Sequence, residues 1–145
     1  MVDSGTETGS RMRVLVYSDK ADTREQVRLA VGRRPAADVP KVEFVECATA
    51  PAALRRLEST DRAERIDVAV LDGEAAPVGG MGLCRQIKDE IYHCPPVLLL
   101  VGRRDDGWLA TWSQAEQVVS HPIDPVALAE ALADLMRRRT AALSG

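Results

Sequence analysis

The stretch Ile66-Asp67-Val68-Ala69-Val70-Leu71-Asp72, followed by Gly73-Glu74-Ala75-Ala76-Pro77-Val78-Gly79-Gly80-Met81-Gly82, decides how the rest of the chain is read. An apolar run with so little polar alternation is what a strand covered on both faces by helices requires, so residues 66–72 read as a central parallel strand. Asp72 ends it. In open α/β sheets, binding and chemistry collect at the carboxyl ends of strands, where loops converge at the topological switch point. A carboxylate there is either a functional group or the cap of a turn before Gly73.

Working outward, Met12–Tyr17 reads as a first buried strand that stops at Ser18-Asp19, which puts a second carboxylate at a strand's carboxyl end. Asp22-Thr23 signals a helix carrying Val27, Leu29, Ala30 and Val31, which stops before Arg34-Pro35. Val42–Glu46 alternates as a shorter, more polar strand. Thr49 and Pro51 open a helix whose inward stripe is Ala53, Leu54 and Leu57.

Downstream, Gly79-Gly80-Met81-Gly82 reads as a tight turn rather than a phosphate cradle, because no Lys-Ser/Thr pair follows it. The helix it introduces spans about Gly82–Ile91, with Leu83, Ile87 and Ile91 on one face. Val97–Val101 is a second wholly apolar strand, Trp108–Trp112 a short helix and Glu116–Ser120 a last strand. Asp124-Pro125 caps a terminal helix with Val126, Leu128, Ala129, Leu132, Leu135 and Met136 inward and Arg137–Arg139 at its carboxyl end, where positive charge suits the dipole. Strand and helix thus alternate five times. Right-handed crossovers then give a doubly wound (βα)5 α/β fold with a five-stranded parallel sheet, best ordered 2-1-3-4-5 in the flavodoxin-like manner. That order brings Asp19 and Asp72 to one crevice.

A length of 145 residues suits one domain, and with one Phe, two Tyr and two Trp its core must be aliphatic. A formal charge of -3 leaves no footprint for direct nucleic-acid binding. Cys47, Cys84 and Cys94 form no CxxC pair; they read as buried thiols of a reducing compartment rather than as disulfides or zinc ligands. No apolar run spans a membrane and no signal peptide opens the chain, so the expected location is the cytoplasm. Residues 1–11 are too polar to pack and read as a flexible extension; residues 139–145 read as a tail.

Taken as an ordered set, Tyr17-Ser18-Asp19, Asp72 with Pro77 and Gly82-Leu83, Pro96 to Gly102, and His121-Pro122-Ile123-Asp124-Pro125 resemble a CheY-like response-regulator receiver domain, covering nearly the whole chain within residues 12–138. The resemblance implies that Asp72 accepts a phosphoryl group from a histidine kinase. It also implies magnesium held by Asp19, Asp72 and the backbone carbonyl of Glu74, and a cis peptide at His121-Pro122.

Several positions depart from that pattern. Ser18 stands where most members carry a second acid, so magnesium binding should be weak. Val101 replaces the Thr or Ser whose hydroxyl meets the phosphoryl group, Val118 replaces the aromatic switch residue, and His121 replaces the lysine. A histidine is largely neutral near pH 7 and supplies little fixed charge; His121 is either a pH-sensitive stand-in for the lysine or, on the preferred and blander reading, a histidine packed beside a proline in a turn. The loop after Asp72 is one residue longer than usual before Pro77 and again before Gly82. Arg103 and Arg104 read as solvated loop charges.

Trp108 and Trp112, four residues apart, form either a plug over the sheet edge or an anchor for a protein partner. In receivers, the surface of helix four, strand five and helix five serves partners and homodimers. The sequence therefore leads to an atypical stand-alone receiver, not an enzyme, acting by protein contact with phosphorylation at Asp72 weakened or absent. Slow magnesium-dependent phosphorylation in a phosphorelay and binding of a small anionic ligand are the alternatives.

Overall fold

In a computed structural model, residues 11–103 and 108–144 are described; most of the expected amino-terminal extension and Arg104 fall outside them. Five strands, β1 (Met12–Tyr17), β2 (Val42–Cys47), β3 (Val68–Asp72), β4 (Val97–Val101) and β5 (Gln117–Ser120), form one parallel sheet in the order β2-β1-β3-β4-β5. Helices α1 (Ala21–Val31), α2 (Ala50–Glu58), α3 (Gly80–Glu90), α4 (Trp108–Ser113) and α5 (Pro125–Ser144) connect and cover it. The fold is the expected flavodoxin-like one.

The two-residue period of the strands divides the core. Val14, Val16, Val68, Val70, Leu98 and Leu100 point to the side covered by Val27 and Val31 of α1 and by Leu128, Leu132, Leu135 and Met136 of α5. Leu15, Tyr17, Ala69, Leu71, Val97, Leu99 and Val101 point to the other, against Ala53 and Leu57 of α2 and Leu83, Cys84 and Ile87 of α3. Burial of each such Leu or Ile contributes about 1.5–3 kcal/mol, which is how a chain poor in aromatics holds its sheet.

Several boundaries differ from the expectation, each for a local reason. Lys20, without a side-chain cap bond, precedes α1, so Asp22 lies inside the first turn, where a carboxylate favours the helix dipole. Leu29 is 72% exposed. β3 begins at Val68; Asp67, just before it, donates its backbone N–H to the Arg13 carbonyl at 2.9 Å and accepts the Arg13 N–H with its side chain instead of its carbonyl. Gly79 caps α3 and Gly80 to Gly82 form its first turn, not a turn before it. A Cβ at Gly80 would lie 2.7 Å from the Asp72 carbonyl oxygen, so only glycine lets the helix start this close to the end of β3.

Glu116 stands just before β5, accepting the Val97 N–H and pairing with Lys88. Thr49 does cap α2 through the Ala52 N–H, and Asp124 accepts the Val126 N–H at the start of α5. Val126 itself is 65% exposed rather than inward. α5 continues to Ser144, so residues 139–144 are helical where a tail was expected, and Arg137–Arg139 sit mid-helix. Their partners explain this: Arg137 forks onto Asp38, Arg138 pairs with Asp134, and Arg139 reaches Asp67. No described helix is long and apolar enough to cross a membrane.

Candidate functional site

The switch in chain direction around β1 and β3 places the end of β3 against the loop leaving β1. Asp72, 1% exposed, lies there beside Ser18, which is wholly buried. The Ser18 hydroxyl donates to Asp72 Oδ2 at 2.7 Å, and the Glu74 N–H donates to Oδ1 at 2.9 Å. Both carboxylate oxygens therefore carry a neutral donor. Ser18 is itself fixed: its Oγ accepts the Lys20 N–H at 3.1 Å, and its carbonyl accepts from Arg24 Nη1 at 2.6 Å. Ser18 is thus a donor to Asp72, a bond that sequence spacing did not reveal.

His121 corrects a second expectation. Its backbone N–H donates to the Val101 carbonyl at 2.8 Å, and the cis His121-Pro122 peptide follows as expected. The imidazole does not merely pack in a turn. Nε2 lies 3.6 Å from Asp72 Oδ1, buried and without a hydrogen bond. Val101 is 1% exposed, packed among the aliphatic side chains that α2 and α3 cover, and Val118 is half-buried. Neither side chain has a donor to offer.

Asp19 is exposed and directs Oδ1 to the Ala76 N–H at 3.1 Å, holding the loop that follows Asp72. Tyr17 holds the same loop, its hydroxyl donating to the Val78 carbonyl at 2.6 Å. Burial, then the charges of Asp19 and Asp72, raise the Tyr17 pKa, so the phenol keeps its proton and remains a donor. A second cis peptide, Ala76-Pro77, lies in this loop.

Together these elements border a crevice of about 310 Å³ lined by Lys20, Thr23, Gln26, Asp72, Glu74, Gly102 and His121. Of the three magnesium ligands that the resemblance implies, Asp19 Oδ1 and both Asp72 oxygens each accept one hydrogen bond, which leaves a lone pair free on each but makes a cation compete with the Ala76, Ser18 and Glu74 donors. Among the described residues, no group of three or more His, Cys, Asp or Glu side chains is placed to hold a metal.

The two tryptophans lie elsewhere. Trp108 is 67% and Trp112 45% exposed, so they present a surface rather than plug one; Arg85 donates to the Trp112 carbonyl at 2.6 Å, with its guanidinium 5.0 Å from the ring centre. Arg103 is exposed. All three cysteines are free; Cys47 and Cys84 are buried, but Cys94 is only partly so.

No family model matches the chain. It is 49% identical over 131 residues to an uncharacterized response regulatory protein of Mycobacterium tuberculosis, covering 90% of this chain and 96% of that one. It is 33% identical over 127 residues to the transcriptional regulatory protein CseB of Streptomyces coelicolor, of which it spans 49%. Among solved structures, the response regulatory domain of mrkE from Klebsiella pneumoniae superposes with a TM-score of 0.72 at 15% identity, covering 90% of this chain and 99% of that domain. The Francisella response regulator 1452 receiver domain gives 0.70 at 16%, covering 88% and 98%. Those two likenesses describe the fold; the relative from Mycobacterium, matched nearly end to end, shows that the chain belongs to the response-regulator receiver family.

Proposed function

We propose that this protein is a receiver of two-component signalling that works through contact with another protein and in which phosphotransfer at Asp72 is weakened. The observation that carries this reading is the state of Asp72, whose two oxygens accept from Ser18 and from the Glu74 amide. Each oxygen keeps a lone pair, but a donor on both draws charge from the carboxylate and makes it a weaker nucleophile toward a phosphoryl donor. Two of the groups that the resemblance implies would meet the incoming charge are missing as well: Val101 offers no hydroxyl, and His121 stands in place of a lysine. Each lost charge-assisted contact forgoes about 1.5–3 kcal/mol.

Output then passes through a surface. The exposed Trp108 and Trp112 are the partner contacts we favour, since tryptophan is enriched among residues that carry binding energy. A homodimer through α4, β5 and α5 is the second use of that face. A histidine kinase remains the natural upstream partner, and slow magnesium-dependent phosphorylation is the alternative that the retained Asp19 and Asp72 favour. The three free cysteines suit work in the reducing cytoplasm, the negative net charge argues against direct nucleic-acid contact, and nothing in the crevice supports an enzymatic role.

The test is incubation with acetyl phosphate and magnesium followed by intact mass measurement. The expected result is little phosphoryl gain over an hour in the wild-type protein. Rapid, near-complete gain that is lost in Asp72→Ala overturns the reading. Affinity capture comparing wild type with Trp108→Ala and Asp72→Ala should lose its bound protein in the first variant and keep it in the second.

A further inference from the structure

Within the crevice, the side chain of Glu74 lies against Gly102. Its Cδ, Oε1 and Oε2 lie 2.9, 3.0 and 3.0 Å from the point where a Cβ on Gly102 would stand. Three atoms at one distance mean that the carboxylate lies flat over Gly102. Only a residue without a side chain leaves room for it there. Gly102 directly follows Val101 at the carboxyl end of β4, and both Gly102 and Glu74 line the crevice together with Asp72, His121 and Lys20.

We infer that the Glu74 carboxylate is the crevice's own anion, a built-in occupant that excludes external oxyanions from the space in front of Asp72. The electrostatics follow directly. A tetrahedral oxyanion entering this volume of about 310 Å³ meets two carboxylates, Asp72 and Glu74, against the Lys20 ammonium and a histidine. The Glu74 backbone amide is already spent on Asp72 Oδ1, so the residue offers an anion no donor in return. Gly102 makes this arrangement specific: its φ lies outside the left-handed region, so alanine is tolerated by the backbone and acts only by evicting the carboxylate. Glu74 is exposed, so its replacement leaves the core intact.

This inference rests on the weakened-phosphotransfer reading, and its test separates the two. Fluoroberyllate with magnesium is titrated while the melting temperature is followed, in wild type, Glu74→Gln, Gly102→Ala and Asp72→Asn, each variant first shown by circular dichroism to be folded. Glu74→Gln, which keeps shape and removes charge, and Gly102→Ala, which keeps charge and removes the niche, should each lower the half-saturating concentration at least tenfold relative to wild type. Asp72→Asn should show no response. Titrations of Glu74→Gln and Gly102→Ala that superimpose on wild type, including the case in which none responds, overturn the inference. A wild type that saturates at micromolar fluoroberyllate instead overturns the weakened-phosphotransfer reading, whatever the two variants do relative to it.

Discussion

Two buried aspartates stand at opposite ends of one stretch of chain, Asp67 just before β3 and Asp72 at its end, 3% and 1% exposed. Asp67 accepts the Arg13 N–H at 2.9 Å through Oδ2, while Arg65 at 3.3 Å and Arg139 at 3.6 Å stand against Oδ1. Asp72 has a hydroxyl, an amide and an imidazole instead. The same side chain, equally withdrawn from water, is neutralised by two permanent cations at one end and by none at the other. Asp67 ties β1, β3 and α5 together. Asp72 is held by neutral donors that can exchange partners, which is the condition for chemistry rather than for scaffolding.

The sharpest way to break this contrast is to neutralise each acid in turn. Asp67→Asn should cost about 2 kcal/mol in urea unfolding, because it leaves the largely buried Arg139 guanidinium without its carboxylate, while Arg65 is half exposed and adds little. Asp72→Asn should cost about 1 kcal/mol or less, since an amide oxygen can still accept from Ser18 or Glu74. Equal costs would show that the two acids play the same structural part.

A second experiment converts the functional end toward an acid pair. Ser18→Asp removes a donor and sets a like charge beside Asp72, so the metal-free protein should lose about 1–2 kcal/mol. Magnesium should restore that loss in a concentration-dependent way, read as a rise in melting temperature absent from wild type.

The thiols give a smaller, global effect. Burial pushes the Cys84 pKa from 9.0 up to about 12 and raises those of Cys47 and Cys94. Above pH 9 the unfolded chain releases protons that the folded chain retains, so stability should fall as pH rises from there toward 12. Native alkylation at pH 8 should modify the partly exposed Cys94 before Cys84; the reverse order would contradict the burial assigned to them. The smallest effect is reserved for Arg137→Ala. It breaks the fork onto Asp38 that lowers the Asp38 pKa, but both groups are open to solvent, so unfolding should shift barely beyond error.

Strand positions, their parallel order and the meeting of the β1 and β3 carboxyl ends were legible because a buried parallel strand requires continuous apolar side chains, as in Val97–Val101 and Val68–Leu71. Helix ends were less so: Gly80 to Gly82 read as a turn, since propensity disfavours glycine in a helix and only contact with the Asp72 backbone selects it there. Asp67 is itself a signal in the sequence, a charge inside an otherwise apolar run, which a buried strand tolerates only when the charge is paired.

Local pattern by itself determined the sheet, the two faces of the core and the presence of an acid at the end of β3, all properties of periodicity along the chain. Tertiary structure alone decided what surrounds that acid. Ser18, His121, Glu74 and Gly102 come from segments far apart in sequence, and whether a hydroxyl donates to a carboxylate or a carboxylate lies over a glycine depends on ångström-scale approach that no spacing rule encodes.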